Sequence, residues 1–126
     1  MGNGIEQRVM DITRVLPFEP AEIFRFFVSS RLVEQWSTPD GTTLEVPTMD
    51  ARRNGEYQYI HTDAAGGKWT CDGYFKDFER NVRIVMVDTV RNPKGEVLFS
   101  GLVSVIDFRD LGGITELHIR QKGFPD

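Results

Sequence analysis

The side chains of this sequence that could do chemistry are few, and most fall in the two neighbouring stretches 55–62 and 67–78. Each stretch carries three candidates in alternating register: Tyr57, Tyr59 and His61 in the first, then Trp69, Cys71 and Phe75 in the second. Alternate residues of a strand lie on one face of a sheet. The linker DAAGG between the stretches is typical of a hairpin, so we expect the two sets to lie side by side.

Such a surface would be aromatic, with a few polar groups at its tips: two phenols, one imidazole and one thiol. It would suit a pocket that is mostly apolar with sparse hydrogen-bonding groups. Aromatic residues also favour strands for reasons of packing alone, so half-buried sheet positions explain the same pattern. A ligand pocket and an ordinary sheet face therefore both stay open as interpretations.

Trp36 is the remaining candidate for a ligand-binding side chain. It follows a short helical pattern, shares a face with Val33 three residues earlier, and stands directly before the turn residues STPDG. An ordinary core anchor and the wall of a pocket are both open interpretations of this position.

The residues favour binding over catalysis, and we predict no catalytic residue. His61 is the candidate acid or base, although an ordinary half-buried sheet position is the favoured interpretation. Cys71 lies in a strand with apolar neighbours and is interpreted as a small hydrophobic residue. A reactive thiolate needs a nearby cation or helix N-terminus, and the sequence shows neither. A Cys–His nucleophile across the hairpin is the less favoured alternative.

Length and composition narrow the class of protein further. The 126 residues predict one domain, 1–126, with residues 1–5 expected to be disordered. One cysteine and two separated histidines give no disulfide and no zinc spacing, so we predict neither metal nor cofactor. The net charge of −4 and the scattered basic residues argue against nucleic acid. With no signal pattern and no membrane-length apolar run, a cytoplasmic protein without a membrane partner is expected.

The elements that would position the candidates follow from periodicity and turn residues. We predict a strand at 6–16, an amphipathic helix at 20–28, and a second short helix from Ser29 or Ser30 to Trp36. Six further strands are predicted at 43–49, 55–62, 67–78, 82–91, 97–109 and 114–121. The short connections between them favour antiparallel pairing. The fold class is therefore α+β, with two short helices against an antiparallel sheet.

Several segments between residues 12 and 125 also carry a family resemblance. They are ITRVLPFEPAEIFRFF, SSRLVEQW, DARRNGEYQY, GKWTCDGYFKDFERNVRIV and GGITELHIRQKGFP. In order and spacing they resemble the START-like (SRPBCC, helix-grip) superfamily, in the branch of homologues of the activator of the heat-shock chaperone ATPase. Asn54 stands where the family's Asp-x-Arg-x-Gly-Gly turn has its first glycine.

The resemblance implies a curved antiparallel sheet of six to seven strands gripped by two short helices. It also implies a C-terminal helix that roofs a cavity, with Trp36 at the cavity mouth as both anchor and wall. That helix is expected after Gly123, whereas the sequence ends at Asp126. We therefore expect either a shortened chain or a homodimer in which a second copy covers the open sheet face.

Three functions are compatible with the resemblance. The first is a binding domain for a small apolar or amphipathic molecule, with an aromatic-lined cavity and no evident catalysis. The second is a co-chaperone-like interaction domain whose partner is a chaperone ATPase. The third is an enzyme of the cyclase or hydratase type, which would need a proton shuttle among Tyr57, Tyr59 and His61.

Overall fold

The computed structural model of the chain describes residues 7–35 and 40–123. Its elements in chain order are β1 (Gln7–Leu16), α1 (Pro20–Val28), α2 (Ser30–Val33), β2 (Thr43–Met49), β3 (Glu56–Thr62), β4 (Lys68–Glu79), β5 (Arg83–Arg91), β6 (Val97–Asp110) and β7 (Thr115–Gly123). The predicted order of one strand, two short helices and six strands is confirmed. The bounds of α1 agree with the prediction, and α2 ends before Trp36, which lies outside the described residues.

All seven strands form one antiparallel sheet in the order β1-β7-β6-β5-β4-β3-β2. Strands β2 to β6 each pair with the next strand along the chain, and β1 pairs with β7. The short connections explain this order, because a tight turn can join only neighbouring antiparallel strands. The predicted α+β class and antiparallel sheet are confirmed.

Helix α1 covers one face of the sheet. It begins at Pro20, where the missing N–H costs no hydrogen bond, and Glu22 lies in its first turn. Its buried side chains are Ile23 and Phe24, and the Phe24 ring meets Phe108 edge-on at a centroid distance of 5.2 Å. Among the described residues, neither helix is long and apolar enough to cross a membrane.

The turn between β2 and β3 is fastened to β4. Asp50 accepts a hydrogen bond from Arg52 Nε within this turn at 2.9 Å. Asn54 adopts a positive φ of 65°, a conformation that asparagine tolerates better than most residues. Its N–H donates to the carbonyl of Phe75 at 2.7 Å, and the Phe75 N–H donates to the carbonyl of Gly55 at 2.9 Å. These bonds fix the entry to β3.

Candidate functional site

The predicted hairpin between the two candidate stretches is confirmed. Three cross-strand pairs join β3 to β4: Tyr57 opposite Gly73, Tyr59 opposite Cys71, and His61 opposite Trp69. The two candidate sets therefore lie side by side, as alternation along each strand predicted.

Two of these candidates, Tyr57 and Phe75, belong to the hydrophobic core. Tyr57 is 2% exposed and Phe75 is fully buried. Their ring centroids are 5.0 Å apart, and Phe75 also meets Phe78 edge-on at 5.4 Å. These side chains are enclosed by protein and belong to the hydrophobic core on the same face of the sheet as Tyr59 and Cys71.

A cleft of about 300 Å³ opens on the same face of the sheet, and Tyr59 and Cys71 both line it. Phe27 contributes from α1, while most of the remaining lining comes from methionine, valine, leucine and isoleucine side chains of the strands. The surface of the cleft is therefore largely apolar and more aliphatic than aromatic.

The other predicted site residues are not part of this cleft. Trp69 is 38% exposed, and its Nε1–H donates to Asp63 Oδ2 at 3.0 Å near the tip of the hairpin. His61 is half-buried opposite Trp69, and neither residue lines the cleft. Trp36 lies outside the described residues. The structure thus brings two of the seven candidates to the cleft and two more into the adjoining core.

The structure adds a residue that the sequence analysis missed, Asp88 on β5. It is 7% exposed and lines the cleft. One face of β5 carries Ile84, Met86, Asp88 and Val90. The sequence feature that could have revealed Asp88 is thus a carboxylate in an otherwise apolar row. A buried carboxylate is uncommon unless it is paired, which makes such an interruption a useful indicator of a site.

Polar side chains on neighbouring strands form what we call the polar band: Tyr59, Cys71, Asp88, Ser104 and Gln121. One member comes from each strand from β3 to β7. Gln121 Nε2 donates to Ser104 Oγ at 2.9 Å, so the two members on β6 and β7 satisfy each other in part. The band gives an otherwise apolar cleft a few hydrogen-bonding groups.

Asp88 is the centre of the buried hydrogen bonds. It accepts hydrogen bonds from the Tyr57 hydroxyl and from the Cys71 thiol. Burial raises the pKa of Asp88, although these two hydrogen bonds work in the opposite direction. Burial, together with the charge of Asp88, also raises the pKa values of Tyr57, Tyr59 and Cys71. All three side chains therefore keep their protons, and a protonated Cys71 does not suit a nucleophilic thiolate.

Gly73 makes room for this arrangement in the middle of β4. A Cβ atom at this position would lie 2.5 Å from Tyr57 Oη and 2.6 Å from Asp88 Oδ1. The mid-strand glycine therefore has a packing reason, since any larger residue would occupy the space of the hydrogen bond.

We expect Asp88→Asn to change how stability depends on pH. Because burial raises the pKa of Asp88 above its usual value of 3.8, the folded state binds more protons than the unfolded state at higher pH. The contribution of Asp88 to stability is complete below that value and is lost as pH rises toward the folded pKa. Urea unfolding from about pH 4 to about pH 8 should show the wild type losing stability relative to the variant.

The quantity to measure is the difference in unfolding free energy between the wild type and Asp88→Asn at each pH. Other carboxylates have lowered pKa values, and their contributions to stability therefore change with pH in the opposite direction. Hydrogen bonds from Trp69 and Arg53 lower the pKa values of Asp63 and Asp77, respectively. Asp72→Asn, on the other face of the sheet, is the matched control. If the difference in unfolding free energy between the wild type and Asp88→Asn stayed constant across the pH range, the prediction would be contradicted.

Among the described residues, no group of three or more His, Cys, Asp or Glu side chains is arranged to hold a metal ion. The cleft itself offers one carboxylate, one thiol and neutral oxygen groups. What this site can do is hold an apolar molecule and form a small number of hydrogen bonds with it.

A curved seven-stranded antiparallel sheet with two short helices against one face defines a START-like, helix-grip domain. The sequence profile of one family of such domains matches residues 17–126. The chain belongs to that family, which is described as Activator of Hsp90 ATPase homolog 1-like protein. The resemblance seen in the sequence is thereby confirmed.

Solved structures show the same fold. The protein CV1439 from Chromobacterium violaceum is 26% identical, with a TM-score of 0.82 over 93% of this chain and 80% of that one. Mll3558 from Rhizobium loti is 21% identical, with a TM-score of 0.78 over 97% of this chain and 81% of that one. A putative uncharacterized protein from Rhizobium leguminosarum is 22% identical, with a TM-score of 0.73 over 97% and 82%. The last two support the fold alone. No curated protein matches the chain.

Proposed function

We propose that the domain binds a small apolar or amphipathic molecule in the cleft beside Tyr59 and Cys71, without a chemical step. The observation that carries this proposal is the cleft itself, about 300 Å³ in volume and largely apolar in its lining. Pockets for small molecules commonly start at roughly 300 Å³ and combine an apolar wall with a few placed polar groups. The polar band supplies such groups.

The state of the polar groups favours binding over catalysis. The Tyr57 hydroxyl and the Cys71 thiol both donate to Asp88. The carboxylate therefore already has protein hydrogen-bond partners. A cyclase or hydratase reaction through Tyr57, Tyr59 and His61 would need all three at the substrate. His61 instead lies beside Trp69, away from the residues that line the cleft.

A neutral fluorescent probe, N-phenyl-1-naphthylamine, tests the proposal directly. We expect saturable binding at one site per chain. Ile119 is a half-buried residue lining the cleft, so Ile119→Trp should fill the space and weaken binding by about tenfold, or about 1.4 kcal/mol. Binding would be followed by the rise in probe fluorescence.

Val103→Trp is the matched control for this measurement. Val103 is half-buried on β6 and borders a separate groove with Arg120 and Lys122. This variant should therefore retain the wild-type affinity for the probe. Non-saturable binding, or equal weakening by both substitutions, would contradict the proposal.

A second candidate function is docking on a chaperone ATPase, which the description of the family suggests. The observation that favours it is an apolar groove of about 450 Å³ beside α1. Phe18 and Phe26 border this groove and are 49% and 45% exposed. Large exposed apolar patches are typical of protein interfaces, including interfaces between two copies of one chain. Both candidate functions suit a cytoplasmic protein.

A further inference from the structure

We propose that the ligand of the cleft is an uncharged molecule that places a hydrogen-bond acceptor, such as a carbonyl oxygen, against the hydroxyl of Tyr59. The inference rests on the proposed binding function and specifies the chemistry of the molecule that the cleft accepts. It derives from one polar atom that has no hydrogen-bond partner within residues 7–35 and 40–123.

The hydroxyl of Tyr59 is buried and has no hydrogen-bond partner among the described residues. Tyr59 also lines the cleft, so its side chain borders the space where a ligand would lie. Buried polar groups are almost always paired, because leaving one unpaired costs the full price of its lost hydration. A ligand acceptor at this position would remove that cost.

The neighbouring tyrosine, Tyr57, differs from Tyr59 because its hydroxyl has a hydrogen-bond partner. Tyr57 lies two residues earlier on the same face of β3, and the two rings are 5.3 Å apart. Its hydroxyl donates to Asp88. The hydroxyl of Tyr57 is therefore used by the fold, whereas Tyr59 lines the cleft and its hydroxyl has no partner among the described residues.

The hydroxyl of Tyr59 acts as a donor toward the ligand. Burial raises its pKa, and the nearby charge of Asp88 adds to the effect. The phenol therefore keeps its proton, and its O–H needs an acceptor. A carbonyl oxygen meets this need within an apolar molecule, since it accepts hydrogen bonds without carrying a charge.

The lining of the cleft also favours a neutral molecule. Its described residues include no Lys, Arg or His that could pair with an anion. A cation would have to leave water for a mainly apolar wall, and Asp88 already accepts hydrogen bonds from Tyr57 and Cys71. Burying an unpaired charge is far more costly than burying a carbonyl group.

Three probes of nearly equal shape test the inference: 2-acetylnaphthalene, 2-ethylnaphthalene and 1-(2-naphthyl)ethylamine. Dissociation constants would be measured by titration calorimetry at neutral pH for the wild type and Tyr59→Phe. Because the ketone and the hydrocarbon differ in hydrophobicity, the decisive quantity is the change in their affinity ratio on mutation. We expect Tyr59→Phe to weaken the binding of the ketone about fivefold and to leave the binding of the hydrocarbon unchanged.

Tyr59→Phe should fold, because it removes only an unpaired oxygen atom, and its Tm should not fall below that of the wild type. Tyr57→Phe is the matched control. It removes a paired hydroxyl from the same strand, so it should lower Tm but keep the wild-type preference between ketone and hydrocarbon.

An unchanged ratio in Tyr59→Phe would overturn the inference while leaving the proposed binding function intact. The inference would also be overturned if the wild type bound the amine more tightly than it bound the ketone. If neither the ketone nor the hydrocarbon binds the wild type, the proposed function fails and this inference fails with it.

Discussion

Phe75→Ala is expected to lower the free energy of unfolding by about 3–5 kcal/mol, the usual range for a large aromatic removed from a core. Phe75 is fully buried and touches the rings of Tyr57 and Phe78 at centroid distances of 5.0 and 5.4 Å. Removing it would leave a cavity in the core beside Tyr57. Urea unfolding followed by tryptophan fluorescence would measure the loss.

The control for this substitution is the preceding residue of the same strand. Tyr74 is 40% exposed and lies on the opposite face of β4, so Tyr74→Ala removes an aromatic ring without opening the core. We expect its effect to stay below about 1 kcal/mol, as for most surface substitutions. Similar losses for the two variants would show that Phe75 is not a core residue.

Gly73→Ala is expected to cost about 3 kcal/mol, although it adds a single methyl group. The new Cβ would lie 2.5 Å from Tyr57 Oη and 2.6 Å from Asp88 Oδ1, and it would also meet the carbonyl oxygen of Val87. A backbone oxygen in a paired strand cannot move aside easily. The substitution must therefore displace β4 from β5 or break the Tyr57–Asp88 hydrogen bond.

A double-mutant cycle separates these effects. In a Tyr57→Phe background the hydroxyl that Gly73→Ala would displace is already absent, so the second substitution should cost less than it does alone. Unfolding free energies of the four proteins give the coupling. Strict additivity would mean that Gly73 does not protect the Tyr57–Asp88 hydrogen bond.

Much of the fold was predictable because local patterns decide it. Helix α1 follows from Pro20 and from apolar residues at helical spacing, and the structure gives the predicted bounds. The β3–β4 hairpin follows from two alternating stretches around DAAGG, and the two candidate sets lie side by side as expected. Turn residues, helical spacing and strand alternation act over a few residues, so a single sequence suffices to find them.

The site was only partly predictable, because alternation assigns a residue to a face but not to a depth on that face. Tyr57 and Tyr59 are equivalent by pattern, yet the first is enclosed in the core and the second borders the cleft. Which tyrosine is enclosed depends on how α1 and the aromatic rings of other elements pack over the sheet. Such packing joins residues far apart in the chain.

Asp88 shows the same limit. Its position in the apolar row of β5 was visible, but its partners Tyr57 and Cys71 lie on β3 and β4. Only the pairing of β4 with both neighbours brings the three side chains together, with Gly73 leaving the space between them. The sequence by itself thus determined the elements, their order and the shared face. The tertiary structure decided which side chains on that face are buried, paired or left open to a ligand, because burial and pairing arise from contacts between strands and helix.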